Sequence, residues 1–196
     1  FLTWRNYRRA EVVNIPEGDL LILEIPKTND KKELAAEQMF ASLHGILRDK
    51  TELRANGGVQ EHLSFEFASV NGQIRFYVWV PRTLRSFVES QIYSQYPTVQ
   101  IRAADEDYVT HEREHGVVYT TEVTLTDNEV LPIKTFQSFE VDPLAGITGT
   151  LAKLETTGEE IWVQMLVRPV ADDWHKTAER WITNLRAGKG SVSVKS

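Results

Sequence analysis

The 196-residue sequence contains no cysteine, which excludes a disulfide framework and any metal site built from thiolates. No run of about 20 apolar residues is present, so nothing in the chain predicts a membrane-spanning helix. Positive charge is also scarce, since 22 Lys and Arg face 28 Asp and Glu for a net charge of −6. Because proteins grip nucleic-acid backbone with Lys and Arg, this deficit argues against such binding as the main role.

The remaining composition is that of an ordinary globular protein. It is 41% hydrophobic, 10% aromatic and 26% charged, which supplies enough apolar mass for a core and argues against disorder. The length allows one large or two small domains. The lack of cysteine fits a reducing compartment, so we expect a cytoplasmic location.

Residues 13–104 show the pattern of one complete supersecondary unit. Alternating and helical periodicities, with turn signals between them, predict the order strand, helix, strand, strand, helix, strand. This order is the βαββαβ pattern of a ferredoxin-like sandwich, an α+β fold. The predicted elements are a strand at residues 20–25, a helix ending near residue 49, a hairpin of strands 62–68 and 73–80 around Asn71-Gly72, a helix opened by Pro81 and a strand at 99–103.

The rest of the chain predicts a second, related and incomplete α/β half. Residues 105–116 are the most polar stretch and predict a connector, and residues 117–187 predict the second half. Its elements are a strand at 117–125 that returns as a hairpin through 131–136, a helix after Asp142-Pro143, a central strand at 160–168 and a last helix. Residues 1–12 form a lead-in, and residues 188–196 have the composition of a flexible linker.

The two strands expected in the middle of the first sheet are apolar on both faces, through Leu20, Ile22, Tyr77 and Trp79. A sheet of this kind must be covered on both sides, either by the second half of the chain or by a partner. The alternative is a platform for single-stranded nucleic acid, because binders of this topology stack bases on aromatic residues of the central strands. Arg75, Tyr77 and Trp79 would then form the interaction surface.

The connector contains His111-Glu112-Arg113-Glu114-His115, which matches the H-E-x-x-H pattern of zinc peptidases. That chemistry needs the motif on a helix with an apolar back and a third ligand from elsewhere. Gly116 follows at once and the flanks are acidic, so we expect a solvated loop. The sequence therefore predicts no metal ligand, no catalytic residue and no cofactor-binding residue.

The lead-in carries Trp4, Arg5, Arg8 and Arg9 after an apolar start and without an initiator methionine. Aromatic residues followed by arginines are typical of the cytoplasmic end of a membrane helix, which makes these four residues candidates for a membrane-proximal position in a longer protein. An ordinary amphipathic lead-in that packs on the domain explains them equally well.

Patterns typical of a known family occur at residues 34–47, 61–67, 74–82 (Ile-Arg-Phe-Tyr-Val-Trp-Val-Pro-Arg), 87–97, 139–144 and 162–169. These stretches resemble the region that precedes the motor in type IV secretion and conjugative DNA-transfer ATPases, above all the HerA-like and TraC-like members.

The resemblance implies an accessory, non-catalytic docking or scaffold domain at the inner face of the bacterial cell membrane. Its implied partners are a C-terminal ATPase motor and membrane or secretion-channel proteins, and a homo-oligomer is left open. The motor's phosphate loop is missing from this sequence, because Gly188-Lys189-Gly190-Ser191 lacks the required glycine spacing. The chain alone is therefore expected not to be an enzyme.

Overall fold

The computed structural model describes residues 17–26, 33–70, 72–110, 116–126, 130–131, 133–142, 144–151, 153 and 158–189. Within these ranges the chain is an α+β protein with one five-stranded antiparallel sheet and several helices. Its strands are β1 (Gly18–Glu24), β2 (Leu63–Val70), β3 (Gln73–Pro81), β4 (Gln100–Ala103) and β5 (Ile161–Val167). Its α-helices are α1 (Glu33–Leu43), α2 (Lys50–Ala55), α3 (Arg85–Gln95), α4 (Ala145–Leu151) and α5 (Asp173–Arg186), with 3-10 turns at His44–Ile46, Arg82–Leu84 and Phe136–Ser138.

The strands lie in the order β4-β1-β3-β2-β5, and every neighbouring pair is antiparallel. The predicted hairpin between β2 and β3 is confirmed, because Val70 pairs with Gln73 and Gly72 adopts a φ of 72°. Glycine reaches this left-handed region without the steric penalty of other residues, which explains its position in the two-residue turn. Asn71 lies outside the described residues.

Helices α1 and α3 cover one face of the sheet, called here the helix face. Leu21, Leu63, Val78 and Val80 point from three strands into a fully apolar cluster. The helices contribute Met39, Leu43, Val88 and Ile92 to the same cluster. Burial of this cluster stabilises the sheet through the hydrophobic effect.

The loop between α1 and β2 contains a short helix that the sequence patterns did not predict. α1 ends at Leu43, and α2 begins after Asp49, whose carboxylate accepts hydrogen bonds from the backbone N–H groups of Thr51 and Glu52. The Glu52 carboxylate accepts in return from the Asp49 N–H. This reciprocal pair is a capping box, and it starts the new helix where the first was expected to end.

The chain divides into two compact units, and their boundaries differ from the sequence division at residues 105–116. The first unit contains Phe1–Thr110 and Leu144–Pro169, and the second contains His111–Pro143 and Val170–Ser196. β5 was expected in the middle of a second sheet, and this prediction is wrong: among the described strands it lies at the edge of the first sheet, paired with β2. Periodicity marks a strand, but it does not encode which strand will be its neighbour.

Residues 116–126 do not form the predicted strand. They are exposed and lack regular secondary structure, with the Tyr119 side chain 91% exposed. Alternation alone is not sufficient, because a strand is stable only when a neighbour completes its hydrogen bonds.

α5 belongs to the second unit and carries a stripe of apolar residues at helical spacing. Ala178, Trp181 and Leu185 are half-buried along it, whereas Trp174 at the start is more exposed and its ring lies 3.9 Å from that of His175.

Candidate functional site

Arg75, Tyr77 and Trp79 alternate along β3 and therefore share the sheet face opposite the helices, called here the second face. The structure does not bring them together as an accessible platform. Tyr77 is only 4% exposed and pairs across the strands with Ile22. Arg75 is exposed near the hairpin, where its guanidinium donates to the Gln73 side chain at 2.8 Å.

Trp79 is half-buried between two neighbours of its own chain. Its ring stacks on His62 with 5.1 Å between centroids and 17° between planes. Its other neighbour is Gly18 at the start of β1, where a Cβ atom would lie 2.3 Å from the indole ring. Glycine is thus required at this position by the close approach of the ring rather than by its backbone angles.

The second face is covered by Tyr108, which follows β4 in the segment that the sequence analysis assigned to the connector. Its ring lies 4.9 Å from that of Tyr77 and 5.2 Å from that of Trp162 on β5. Ile22, Ala68, Tyr77 and Tyr108 form one buried cluster, with Trp162 packed against it. Of the two alternatives for this face, the structure therefore supports burial.

A polar network lies at the centre of this cover. The Tyr108 hydroxyl donates to Glu66 Oε2 at 2.5 Å, and the Gln164 amide donates to the Tyr108 oxygen at 3.0 Å. Strand register explains the arrangement, because Glu66 lies opposite Tyr77 on one side and Gln164 on the other. Burial, followed by the hydrogen bond to Glu66, raises the pKa of Tyr108 above its ordinary value.

The Tyr108 hydroxyl keeps its proton, so the role of this network is structural. Glu66 is buried, and a buried carboxylate needs a hydrogen-bond donor. Tyr108 supplies that donor, and its raised pKa keeps the hydroxyl protonated to a higher pH than that of an ordinary tyrosine. Ser64 and Ser69, also on β2, have buried hydroxyl oxygens without a hydrogen-bond partner among the described residues.

A second buried carboxylate, Glu61, ties the loop after α1 to the start of β2. Arg48 donates to both of its oxygens, and Asn56 donates to one of them at 3.4 Å. The Arg48 hydrogen bond is the main reason that the pKa of Glu61 lies below its ordinary value. Gln60 adds two bonds to the same loop, at the Arg48 N–H and the Ile46 carbonyl.

A third charged group lies at the start of β1. Asp19 accepts from Arg85 at 3.1 Å and from Arg82 at 3.4 Å. The hydrogen bond from Arg85 is the largest cause that holds the pKa of Asp19 below its usual range. These contacts connect β1 to the segment that links β3 with α3.

The helix side of the sheet contains an apolar pocket of about 250 Å³. It is lined by residues of β1, α1, β2, α3 and the segment before β4, including Leu23, Met39, Phe65, Ile92 and Tyr96. Such a lining can hold a small apolar group, but it offers no pair of groups suited to acid–base chemistry.

Other sequence candidates lie outside the described residues. They are the His111–His115 motif and the membrane-proximal set Trp4, Arg5, Arg8 and Arg9. Within the described ranges there is no group of three or more His, Asp or Glu that could hold a metal ion. No helix in the same part of the chain has the length and apolar composition needed to cross a membrane.

Sequence reasoning missed the three residues of the second-face network. Glu66 gave one signal, since it is the one charged residue of strand β2. Tyr108 gave another, because it is the lone aromatic residue in a polar stretch. Gln164 gave none, as its role depends on the pairing of β5 with β2.

No curated protein and no solved structure matches the chain. One family model does match, over residues 9–193, and its description is a domain of unknown function, DUF8128. Because this match spans nearly the whole sequence, the chain belongs to the DUF8128 family.

Proposed function

We propose that this chain is a non-catalytic docking or scaffold domain, which works by contact with other proteins. One observation carries the proposal: Glu61 and Glu66, the buried carboxylates of the described residues, are each held by side chains of their own chain. Catalysis needs polar groups that face a substrate, whereas these two groups stabilise loops and strands. The described pocket is likewise lined by apolar groups.

The proposed assembly is a type IV secretion or conjugative DNA-transfer ATPase. Its support is the sequence resemblance, in which the stretch 74–82 corresponds to β3 and the stretch 87–97 to most of α3. In this proposal the domain works on the cytoplasmic side of the inner membrane and needs no cofactor. It contacts membrane or channel proteins, with Trp4, Arg5, Arg8 and Arg9 nearest the membrane and a motor joined through residues 188–196.

The finer fold assignment belongs to the same proposal. β1 to β4, together with α1 and α3, would form a ferredoxin-like sandwich, and β5 would extend its sheet by one strand. The supporting facts are the antiparallel order β4-β1-β3-β2 and the position of both helices on one face. This fold hosts many functions, so it does not by itself identify the assembly.

The gene and an activity assay test the assembly. We expect the reading frame beyond Ser196 to encode a motor with a glycine-rich phosphate loop. Continuation into any other kind of domain would refute the assignment.

The chain alone is expected to release no phosphate from ATP, and activity that follows the protein through a sizing column would contradict the non-catalytic role.

Binding of single-stranded nucleic acid is the competing function, and fluorescence anisotropy with a labelled oligothymidylate distinguishes it. We expect no saturable binding at physiological salt, because Tyr77 is buried beneath Tyr108. The nucleic-acid function would prevail if binding saturates and is lost in Arg75→Ala and Trp79→Ala variants that keep the wild-type circular dichroism spectrum. Tyr93→Ala is the matched control, since Tyr93 is an exposed aromatic residue on α3.

A further inference from the structure

The two edges of the sheet differ in how they are protected against pairing with another strand. β4 has four residues, and its Arg102 makes ion pairs with Glu24 and Asp105. β5 has seven residues, Ile-Trp-Val-Gln-Met-Leu-Val, without a charge or a proline. Short, charged strands are how proteins block edges, and a longer uncharged strand leaves the edge open to pairing.

The apolar side chains of β5 point to both faces, and two of the six are exposed. Met165, on the helix face, is 50% exposed and Leu166, on the second face, is 65% exposed. No described strand pairs with β5 on the side away from β2. The outer edge of β5 is therefore a candidate for pairing with a further strand.

We infer that the partner is a second copy of this chain, joined through antiparallel β5–β5 pairing on a two-fold axis at Gln164. In this register Trp162 lies opposite Leu166 of the second copy, and Val163 lies opposite Met165. Each exposed apolar residue thus meets a large apolar residue on the same face, which is the favourable cross-strand arrangement. The result is one continuous ten-stranded sheet made from two five-stranded sheets.

Charge complementarity favours this register, and it favours a second copy of the chain as the partner. The residues that flank β5 are Glu160 and Arg168, and the two-fold axis places each of them opposite the other in the second copy. Glu160 also accepts a hydrogen bond from the Trp162 indole at 3.0 Å, which holds its carboxylate beside the strand. One pair of Glu160 and Arg168, with one residue from each copy, then lies at each end of the paired strands. This inference does not depend on the proposed ATPase assembly.

Light scattering on the full chain tests the dimer. We expect a mass twice that of the 22.4 kDa chain at high concentration, with dissociation on dilution. Arg168→Glu places like charges at both ends and should raise the dissociation constant about tenfold. The double variant Glu160→Arg/Arg168→Glu restores opposite charges and should recover the wild-type constant. Arg75→Glu makes the same change of charge away from the edge and should leave association unchanged.

Disulfide trapping tests the register, because the natural sequence has no cysteine. In Gln164→Cys the two thiols lie directly opposite each other, so oxidised glutathione should give a covalent dimer. In Leu166→Cys they are offset by four residues, or about 13 Å, and should cross-link far less, although Leu166 is also exposed. A monomer at every concentration, equal cross-linking of the two variants, or failure of the charge exchange to restore association would each overturn the inference.

Discussion

The two faces of the sheet are buried by different means. On the helix face, α1 and α3 bury Leu21, Val78 and their neighbours in an apolar cluster. On the second face, Tyr108, a side chain from a loop, lies over Tyr77 and is held by Glu66 and Gln164. The helix face therefore depends on summed hydrophobic contacts, whereas the second face depends on a few directed hydrogen bonds.

This difference determines how each face fails. An apolar cluster loses stability in proportion to the volume removed, at any pH. A polar network can lose much of its contribution to stability when one hydroxyl group is removed or one proton is lost, because a buried acceptor is then left without a donor. The second face is thus the more easily altered surface of this unit, and substitutions that leave its ring packing intact can isolate the hydrogen bonds.

The largest effect is expected on the helix face. Leu21 is fully buried on β1, an interior strand of the sheet, and Leu21→Ala should lower the free energy of unfolding by about 2–5 kcal/mol. Ile25→Ala is the control, since Ile25 follows the same strand but is 46% exposed, and its cost should be clearly smaller. Urea denaturation followed by circular dichroism measures both. Equal losses would mean that the helix face is not the main core.

On the second face, Tyr108→Phe removes the donor to Glu66 and keeps the aromatic ring. We expect a loss of about 1–3 kcal/mol, because a buried carboxylate loses its hydrogen bond. Tyr93→Phe removes a hydroxyl from an exposed tyrosine and should be nearly neutral. A Tyr108→Phe variant as stable as wild type would show that the network contributes nothing to this face.

The pH dependence sharpens the same prediction. The pKa of Tyr108 is higher in the folded state than the pKa of about 10 that tyrosine has in the unfolded chain. Its contribution to the free energy of unfolding is therefore complete below about pH 10 and is lost progressively as the pH rises above that value. The stability difference between wild type and Tyr108→Phe should therefore narrow above about pH 10. A difference that stays constant up to pH 11 would contradict the raised pKa.

Local sequence patterns were sufficient to locate the strands of the first unit along the chain, but not its short helix α2. The predicted strand at 20–25 corresponds to β1 at Gly18–Glu24, and the predicted hairpin and the helix after Pro81 are present. The end of the first helix was less accurate, since it was expected near residue 49 and α1 ends at Leu43. The helix start at Asp49 was missed, although Asp49 and Glu52 have capping-box spacing.

Non-local features could not be predicted in the same way. The position of β5 beside β2 depends on pairing between strands about 100 residues apart, which a single sequence does not encode locally. The role of Tyr108 depends in turn on that pairing, because Gln164 comes from β5. Among the candidate residues, Tyr77 and Trp79 were correctly placed on one face of the sheet. The sequence of β3 alone could not show that Tyr108 covers Tyr77 on this face.

The smallest effect is expected at the rim of the second face, where Trp79 lies over Gly18. Gly18→Ala would place a Cβ atom 2.3 Å from the indole ring, so the ring must move. Because Trp79 is only half-buried, it can shift at a cost of about 1 kcal/mol, the low end of the range for overpacking. In a Trp79→Leu background the clash is absent, and Gly18→Ala should then be nearly neutral. A double-mutant cycle in urea measures this coupling. An equal cost of Gly18→Ala in both backgrounds would assign the requirement for glycine to the backbone, and would remove Trp79 from the packing of the second face.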